Sequence, residues 1–340
     1  MSRNTTRTRK SHTHSPRPLT PQNTGEESIA IGSAAALTND DVVFAQYREA
    51  GVLLWRGYGL PSFAAQCFSN ADDNGKGRQM PVHYGSRAIN VQTISSPLAT
   101  QIPQAAGVAY ALKLEGKGNV CICYFGEGAA SEGDFHAGMN FAATLECPII
   151  FFCRNNGFAI STPSSEQYRG DGIVSRAEGY GIHSIRVDGN DLLAVHAATQ
   201  AARQYAASHN RPVFIEAMSY RGGHHSTSDD STRYRTASEI AYWAESDNPV
   251  TRVRRLLESR GLWDATKEAA LRDQSRKDVL ASFNAAEATK KPAVAELFVD
   301  AYDQLPPHLV EQRAALEAHL AKHGQHYALH EFASDAPEKK

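Results

Sequence analysis

Two short polar turns carry the residue types that could do chemistry. Gly126-Glu127-Gly128 ends the apolar run Val120 to Phe125, and Arg154-Asn155-Asn156-Gly157 ends the run Ile149 to Cys153. A carboxylate (Glu127), an amide (Asn156) and a loop carbonyl near Phe158 are hard oxygen donors. With two phosphate oxygens and a water they would complete the octahedron that magnesium prefers. Glycines beside them let a backbone approach phosphate, and Arg154 can pair with one directly. An isolated Gly-acid-Gly is more often an ordinary surface turn. Here residues 129–154 lie between Gly128 and Asn155, the length of one crossover helix plus a strand, so the two ends can meet.

The turns need elements to position them. Val120 to Phe125 reads as a strand. Ser131 and Asp134 stand at capping-box-like spacing before an amphipathic helix with Phe135, Met139, Phe141, Ala142 and Leu145, and Pro148 opens a second strand. Upstream, Asp40 or Asp41 is predicted to cap a helix through Val43, Tyr47, Ala50, Leu54 and Trp55, and Pro61 starts another to Phe68. A glycine-punctuated loop with His83 follows, then a hydroxyl-rich turn from Thr93 to Gln101 and a helix from Ile102 to Leu114. His183 to Val187, Asp191 to Ala207 and Pro212 to Met218 read as strand, helix and strand. Such alternation predicts a mostly parallel sheet with helices on both faces, which binds ligands at the carboxyl ends of its strands.

Tyr220 to Thr236 has no periodic apolar pattern and reads either as a linker or as an active-site loop. Beyond it helices are expected over 239–244, 249–260, 265–289 and about 307–323, charged and apolar by turns, as a partner-facing extension. The expected division is a tail over 1–23, an α/β domain over 24–245 and a helical extension over 246–340.

At 340 residues, 41% hydrophobic and a formal charge of -2, the chain can bury a full core, and its composition gives no reason to expect nucleic-acid or membrane binding. No apolar run approaches the length of a membrane-spanning helix. The five cysteines form no Cys-x-x-Cys pair, and four lie in or beside the apolar strands, as small buried hydrophobes in a reducing compartment. Residues 1–23 hold five Lys/Arg and no acid. That composition suits an organelle transit peptide or a plain disordered tail.

The paired turns resemble the thiamine diphosphate fingerprint. GEGAASEGD and CRNNGFAISTP resemble the α subunit of the branched-chain 2-oxoacid dehydrogenase decarboxylase component, whereas pyruvate-specific sisters usually carry GDG and a different continuation after Asn-Asn. The likeness runs from about Gly25 almost to the C-terminus. It implies a three-layer α/β/α thiamine diphosphate-binding fold, magnesium on Glu127, Asn156 and Phe158, and cofactor contacts from Tyr47, Arg48, Ser96, Leu98, Gly128, Ala129, Arg154 and His225. His225 would also be catalytic, aiding transfer to the acceptor. Residues matching Ser95, Pro97, Thr100 and Gln101 coordinate a structural potassium ion, and Ser226 and Thr236 match phosphorylation sites. The resemblance further implies an α2β2 assembly with a β subunit, a lipoyl-bearing transacylase core, a regulatory kinase and phosphatase, and the mitochondrial matrix. Family members have helical sequence before the segment matching Gly25-Glu26-Glu27, where this chain has its tail. That departure makes a truncated, non-catalytic or assembly-defective subunit one rival expectation, and a pyruvate-type or non-oxidative thiamine enzyme is the other.

Overall fold

Side chains alternate along a strand, and here both faces of each central strand are apolar. Among the described residues the strands are β1 (Val42–Phe44), β2 (Cys121–Gly126), β3 (Ile149–Asn155), β4 (Phe158–Ala159), β5 (Thr162–Pro163), β6 (His183–Asp188) and β7 (Val213–Met218). In this computed structural model, which describes residues 23–334, five of them form one wholly parallel sheet in the order β1-β2-β3-β7-β6. Strands β4 and β5 make a small antiparallel hairpin. Residues 1–22 of the expected tail lie outside the described residues.

Cys121, Cys123 and Phe125 of β2 and Phe151 and Cys153 of β3 join one core with Ile102, Ala106, Phe135 and Met139. Those four come from the helices Gln101–Glu115 and Gly133–Thr144. Ile122, Tyr124, Ile150 and Phe152 point the other way, against Ile29, Val52, Phe63 and Val195 from the helices on the second face. Burial on both faces is the arrangement a parallel sheet requires. The expected α/β fold with a mostly parallel sheet is what the structure contains.

Two local expectations are corrected. The stretch after Asp41 is not a helix but edge strand β1, and helix begins only at Ala50. The buried Asp41 carboxylate accepts from the backbone N–H of Thr38 (2.7 Å) and of Val120 (2.9 Å) and pairs with Arg203 (2.7 Å). It ties the starts of β1 and β2 together, and pairing with β2 overrides the helical pattern. Secondly, residues 127–131 form a 3-10 turn, and the next helix starts at Gly133 with no side-chain cap from Ser131 or Asp134. The other expected elements appear with ends shifted by a few residues.

Among the described residues all five cysteines are free, four buried and Cys67 half-buried. No described helix is long and apolar enough to cross a membrane. From Pro249 onward only Pro249 and Ala286 are buried among the described residues, and Leu271, Leu280, Leu297 and Val310 are exposed.

Candidate functional site

Four adjacent parallel strands deliver the candidate residues to one edge. Beyond the carboxyl ends of β1, β2, β3 and β7 come Gln46–Glu49, Glu127, Asn156–Phe158 and Ser219–Arg221. A fifth segment, Thr24-Gly25-Glu26, is sewn onto the exit of β7. The Gly222 N–H donates to the Thr24 carbonyl (2.8 Å), and the Ser219 hydroxyl donates to the Gly25 carbonyl (2.8 Å). Gly25 has φ +94°, and a Cβ there would lie 2.1 Å from the Tyr220 carbonyl oxygen, so only glycine fits.

A buried charge network ties these segments. Arg154 Nη1 donates to Glu26 Oε2 at 2.7 Å, and Arg154 Nε lies 2.7 Å from Glu49 Oε1 as an ion pair angled outside hydrogen-bond geometry. Glu49 Oε2 accepts from the backbone N–H of Gln46 (3.0 Å) and Tyr47 (2.9 Å), and Gln46 Oε1 accepts from the Gly126 N–H (2.7 Å). Asn156 Nδ2 donates to Glu26 Oε1 at 2.6 Å, while its Oδ1 accepts from the Phe158 N–H at 3.2 Å. Burial works to raise the Glu26 carboxyl, but Arg154, Arg48 and Asn156 together hold it below its usual range. Burial opposes the Arg154 charge, and Glu49 and Glu26 outweigh it, raising its pKa. Two of its nitrogens therefore face carboxylates, with Nη2 outside both contacts.

Glu127 sits beside this network, 1% exposed, and its Oε1 finds no hydrogen-bond partner among the described residues. Burial raises its carboxyl, the Glu26 charge adds to that, and Arg154 and the Asn156 backbone N–H pull against it. Glu127 thus lies close enough to Glu26 and to the Asn156 backbone N–H for both to act on its carboxyl. A buried carboxylate oxygen with an open lone pair suits a cation.

The second cluster is positive. Arg48 Nη2 lies 3.1 Å from His225 Nδ1 and 3.2 Å from the His225 carbonyl oxygen. A guanidinium only donates, so Nδ1 accepts and neutral His225 carries its proton on Nε2. Tyr47 meets the His225 ring edge-on at 6.1 Å and lies under Arg48, whose Cζ is 5.4 Å from the ring centroid. Burial, then the Arg48 and Arg221 charges, push His225 down to about 4.

The Tyr220–Thr236 stretch, expected as a linker or an active-site loop, is internally bonded and carries His225 into the site. Arg221 Nη2 donates to the Ile160 carbonyl and the Tyr234 hydroxyl oxygen, both at 2.7 Å, and Nη1 reaches the Phe158 carbonyl at 3.4 Å. Arg235 donates to the Arg221 and Gly223 carbonyls and lies over Phe158, Tyr220 and Tyr234. Asp229 accepts from the His225 N–H (2.7 Å) and the Tyr234 hydroxyl (2.6 Å). Half-buried Ser226 lies within this turn, and its carbonyl accepts from the Asp229 N–H at 3.2 Å. Exposed Thr236 caps the helix Ala237–Ser246 by accepting from the Glu239 N–H.

The sequence model of the family described as "Dehydrogenase E1 component" matches residues 3–295. The chain belongs to that family. The "2-oxoisovalerate dehydrogenase subunit alpha, mitochondrial" of Bos taurus is 61% identical over 310 residues, covering 91% of this chain and 68% of that protein. Its Homo sapiens counterpart is 60% identical with 91% and 70% covered, and that of Caenorhabditis elegans is 57% identical over 314 residues with 92% and 73% covered.

The other candidate residues of this E1 component chain lie in two further segments. Gly128 packs on the hairpin, where a Cβ would come 2.8 Å from Ala159 Cβ, and Ala129 beside it is buried. Ser95, Ser96, Pro97 and Leu98 are exposed. Ser96 bonds His83 Nε2, while His83 Nδ1 faces the Pro81 carbonyl (3.1 Å), so the Ser96 hydroxyl donates to the ring. The Thr100 hydroxyl donates to the Pro97 carbonyl (2.9 Å), and Gln101 turns inward to the Tyr124 carbonyl (3.2 Å). Sequence reasoning misses Glu26, Glu49 and Arg221 as site residues. One signal does point to Arg221, since Tyr-Arg pairs at 220–221 and 234–235 bracket the loop.

His225 titration checks the electrostatics. Above about pH 6.5, where an unfolded histidine is neutral, its contribution to stability is complete. It is lost as pH falls from there through about 4, because the folded state resists the proton. An NMR titration of the His225 ring is expected to give a midpoint well below 6.5, and Arg48→Ala to move it up. An ordinary midpoint unmoved by Arg48→Ala would contradict the arrangement.

Proposed function

We propose that this chain is the α subunit of a branched-chain 2-oxoacid dehydrogenase, a 3-methyl-2-oxobutanoate dehydrogenase. It would decarboxylate branched-chain 2-oxo acids oxidatively and pass the acyl group to the lipoyl group of a transacylase core. The family depends on thiamine diphosphate. The observation that carries the reading here is the buried, unsatisfied Glu127 oxygen beside Asn156 at a sheet edge lined by arginines. The names of the relatives, 2-oxoisovalerate dehydrogenase subunit alpha, support the substrate class.

Thiamine diphosphate, when bound, supplies the electron sink for loss of carbon dioxide. The chain's own residues anchor it. Glu127, Asn156 Oδ1 and the Phe158 carbonyl are the oxygen donors for magnesium, and their hardness matches that ion. Arg154 is already engaged with two carboxylates, so its share of phosphate binding falls to the remaining Nη2. Arg48 and Arg221 supply most of the local positive charge, with Tyr47 beside them. His225 presents Nε2–H as a donor at neutral pH, and an anion on these arginines would bring its pKa back toward the usual range. Ser96 and Leu98 would meet the thiamine moiety, with Gly128 and Ala129 nearer the phosphates. Ser95, Pro97, Thr100 and Gln101 would hold potassium with carbonyl and hydroxyl oxygens.

A β subunit in an α2β2 assembly would complete the active site, and the exposed apolar side chains of the C-terminal helices support a partner-bound state. The relatives' names include "mitochondrial", which supports the matrix as the compartment. A kinase and phosphatase would act on Ser226 and Thr236. Phosphate on Ser226 would set nearly two negative charges beside Asp229, breaking its bonds to the His225 N–H and Tyr234 and displacing His225.

Co-expressed with its β partner, the protein is expected to release carbon dioxide from 3-methyl-2-oxobutanoate in preference to pyruvate. Glu127→Gln should weaken magnesium-dependent cofactor binding by more than the ~10–100-fold that loss of an outer-shell partner costs. Binding equal to wild type in that variant would refute the reading. Ser226→Glu is expected to lose most of the overall activity, and full retention would remove the phosphorylation proposal.

A further inference from the structure

We infer that Glu26 is a positioning residue whose carboxylate decides which end of the Asn156 side-chain amide faces the magnesium ion. The inference rests on the function proposed above and concerns a residue that neither binds the metal nor touches substrate in that reading.

An asparagine amide has two chemically opposite ends, and only the oxygen can serve a cation. Left to itself, the side chain presents either one. Here Glu26 Oε1 stands 2.6 Å from one end of the amide. A carboxylate only accepts, so that end must be the NH2 group. Oδ1 is thereby turned the other way, where it accepts from the Phe158 N–H at 3.2 Å with a second lone pair to spare. Magnesium needs that lone pair, and an NH2 group in its place would be repelled.

Glu26 is itself held on every side that matters. Its other oxygen accepts from Arg154 Nη1 at 2.7 Å, and the side chain is 1% exposed, so water cannot take over either contact. The residue before it is the glycine pressed against the Tyr220 carbonyl, with its own carbonyl bonded by Ser219. The backbone therefore brings the carboxylate to one place, at the meeting point of the β3 and β7 exits.

The orientation requirement makes a swap informative. With Glu26→Gln, the new amide can offer its own NH2 to Asn156, and the forced orientation is lost. With Asn156→Asp alone, two carboxylates face each other across the 2.6 Å contact. In the double variant Glu26→Gln/Asn156→Asp, the introduced glutamine amide donates to one oxygen of the introduced aspartate, and the other oxygen faces the metal. The negative charge is kept and simply moves across the contact.

Magnesium is titrated at saturating thiamine diphosphate into the protein purified with its β partner, and unfolding temperatures are measured alongside. Glu26→Gln is expected to bind magnesium ~10–100-fold more weakly than wild type, and the double variant to return close to the wild-type value. A folded Glu26→Gln that binds as wild type overturns the inference, as does a folded double variant no better than Glu26→Gln. If the variants do not fold, manganese in a crystal of the wild-type complex reads the same point. Manganese on the Asn156 atom turned away from Glu26 supports it, and manganese anywhere else overturns it. Should the wild-type complex itself show no magnesium-dependent cofactor binding, the function proposed above fails instead.

Discussion

One buried arginine holds the candidate site together. Arg154 leaves the end of β3 and meets Glu26, from the segment sewn to the β7 exit, and Glu49, from the turn after β1. Taking three charges out of water is costly, and opposite charges at close range with further hydrogen bonds are what offset it. The carboxylates also take up the N–H groups of Asn156, Gln46 and Tyr47, so three of their four oxygens accept hydrogen bonds and the fourth, Glu49 Oε1, faces Arg154 Nε as an ion pair. The network gains little stability over an apolar core. Its effect is to fix three strand exits relative to one another.

From that fixed frame the polarity of the site follows. Glu26 and Glu49 more than balance Arg154, so an acidic side around Glu127 and a basic cluster around His225 stand on one sheet edge. Glu127 keeps an unsatisfied oxygen on one side. Burial, then Arg48 and Arg221, lower His225 on the other. A cation beside an anion is the ligand such a division accepts, which is what a metal diphosphate is. The loop from Tyr220 to Thr236 closes the basic side through Arg221 and Arg235, whose guanidiniums lie against Phe158 and Tyr234.

Strands β2 and β3 are legible from sequence because a buried parallel strand is apolar on both faces, and the turns that follow them are legible because glycine and asparagine interrupt those runs. The helix Leu192–His209, with Asp191 accepting from two N–H groups at its start, shows a cap and a period that agree. Edge strand β1 is hidden, since three residues are too few to reveal a period and Asp41 has the composition of a helix cap. Glu26 is hidden for a different reason. Next to Glu27 it has the composition of a solvent-facing helix start, and only the distant Arg154 and Asn156 explain its burial. The role of Gly128 is also non-local, because its neighbour Ala159 is thirty-one positions away.

Urea unfolding of Arg154→Met tests the account at its centre. The variant keeps roughly the volume and removes the cation between two buried carboxylates. A loss of about 3–5 kcal/mol is expected, as for other buried pairs deprived of one partner, together with loss of magnesium-dependent cofactor binding. Wild-type stability and wild-type binding in that variant would contradict it.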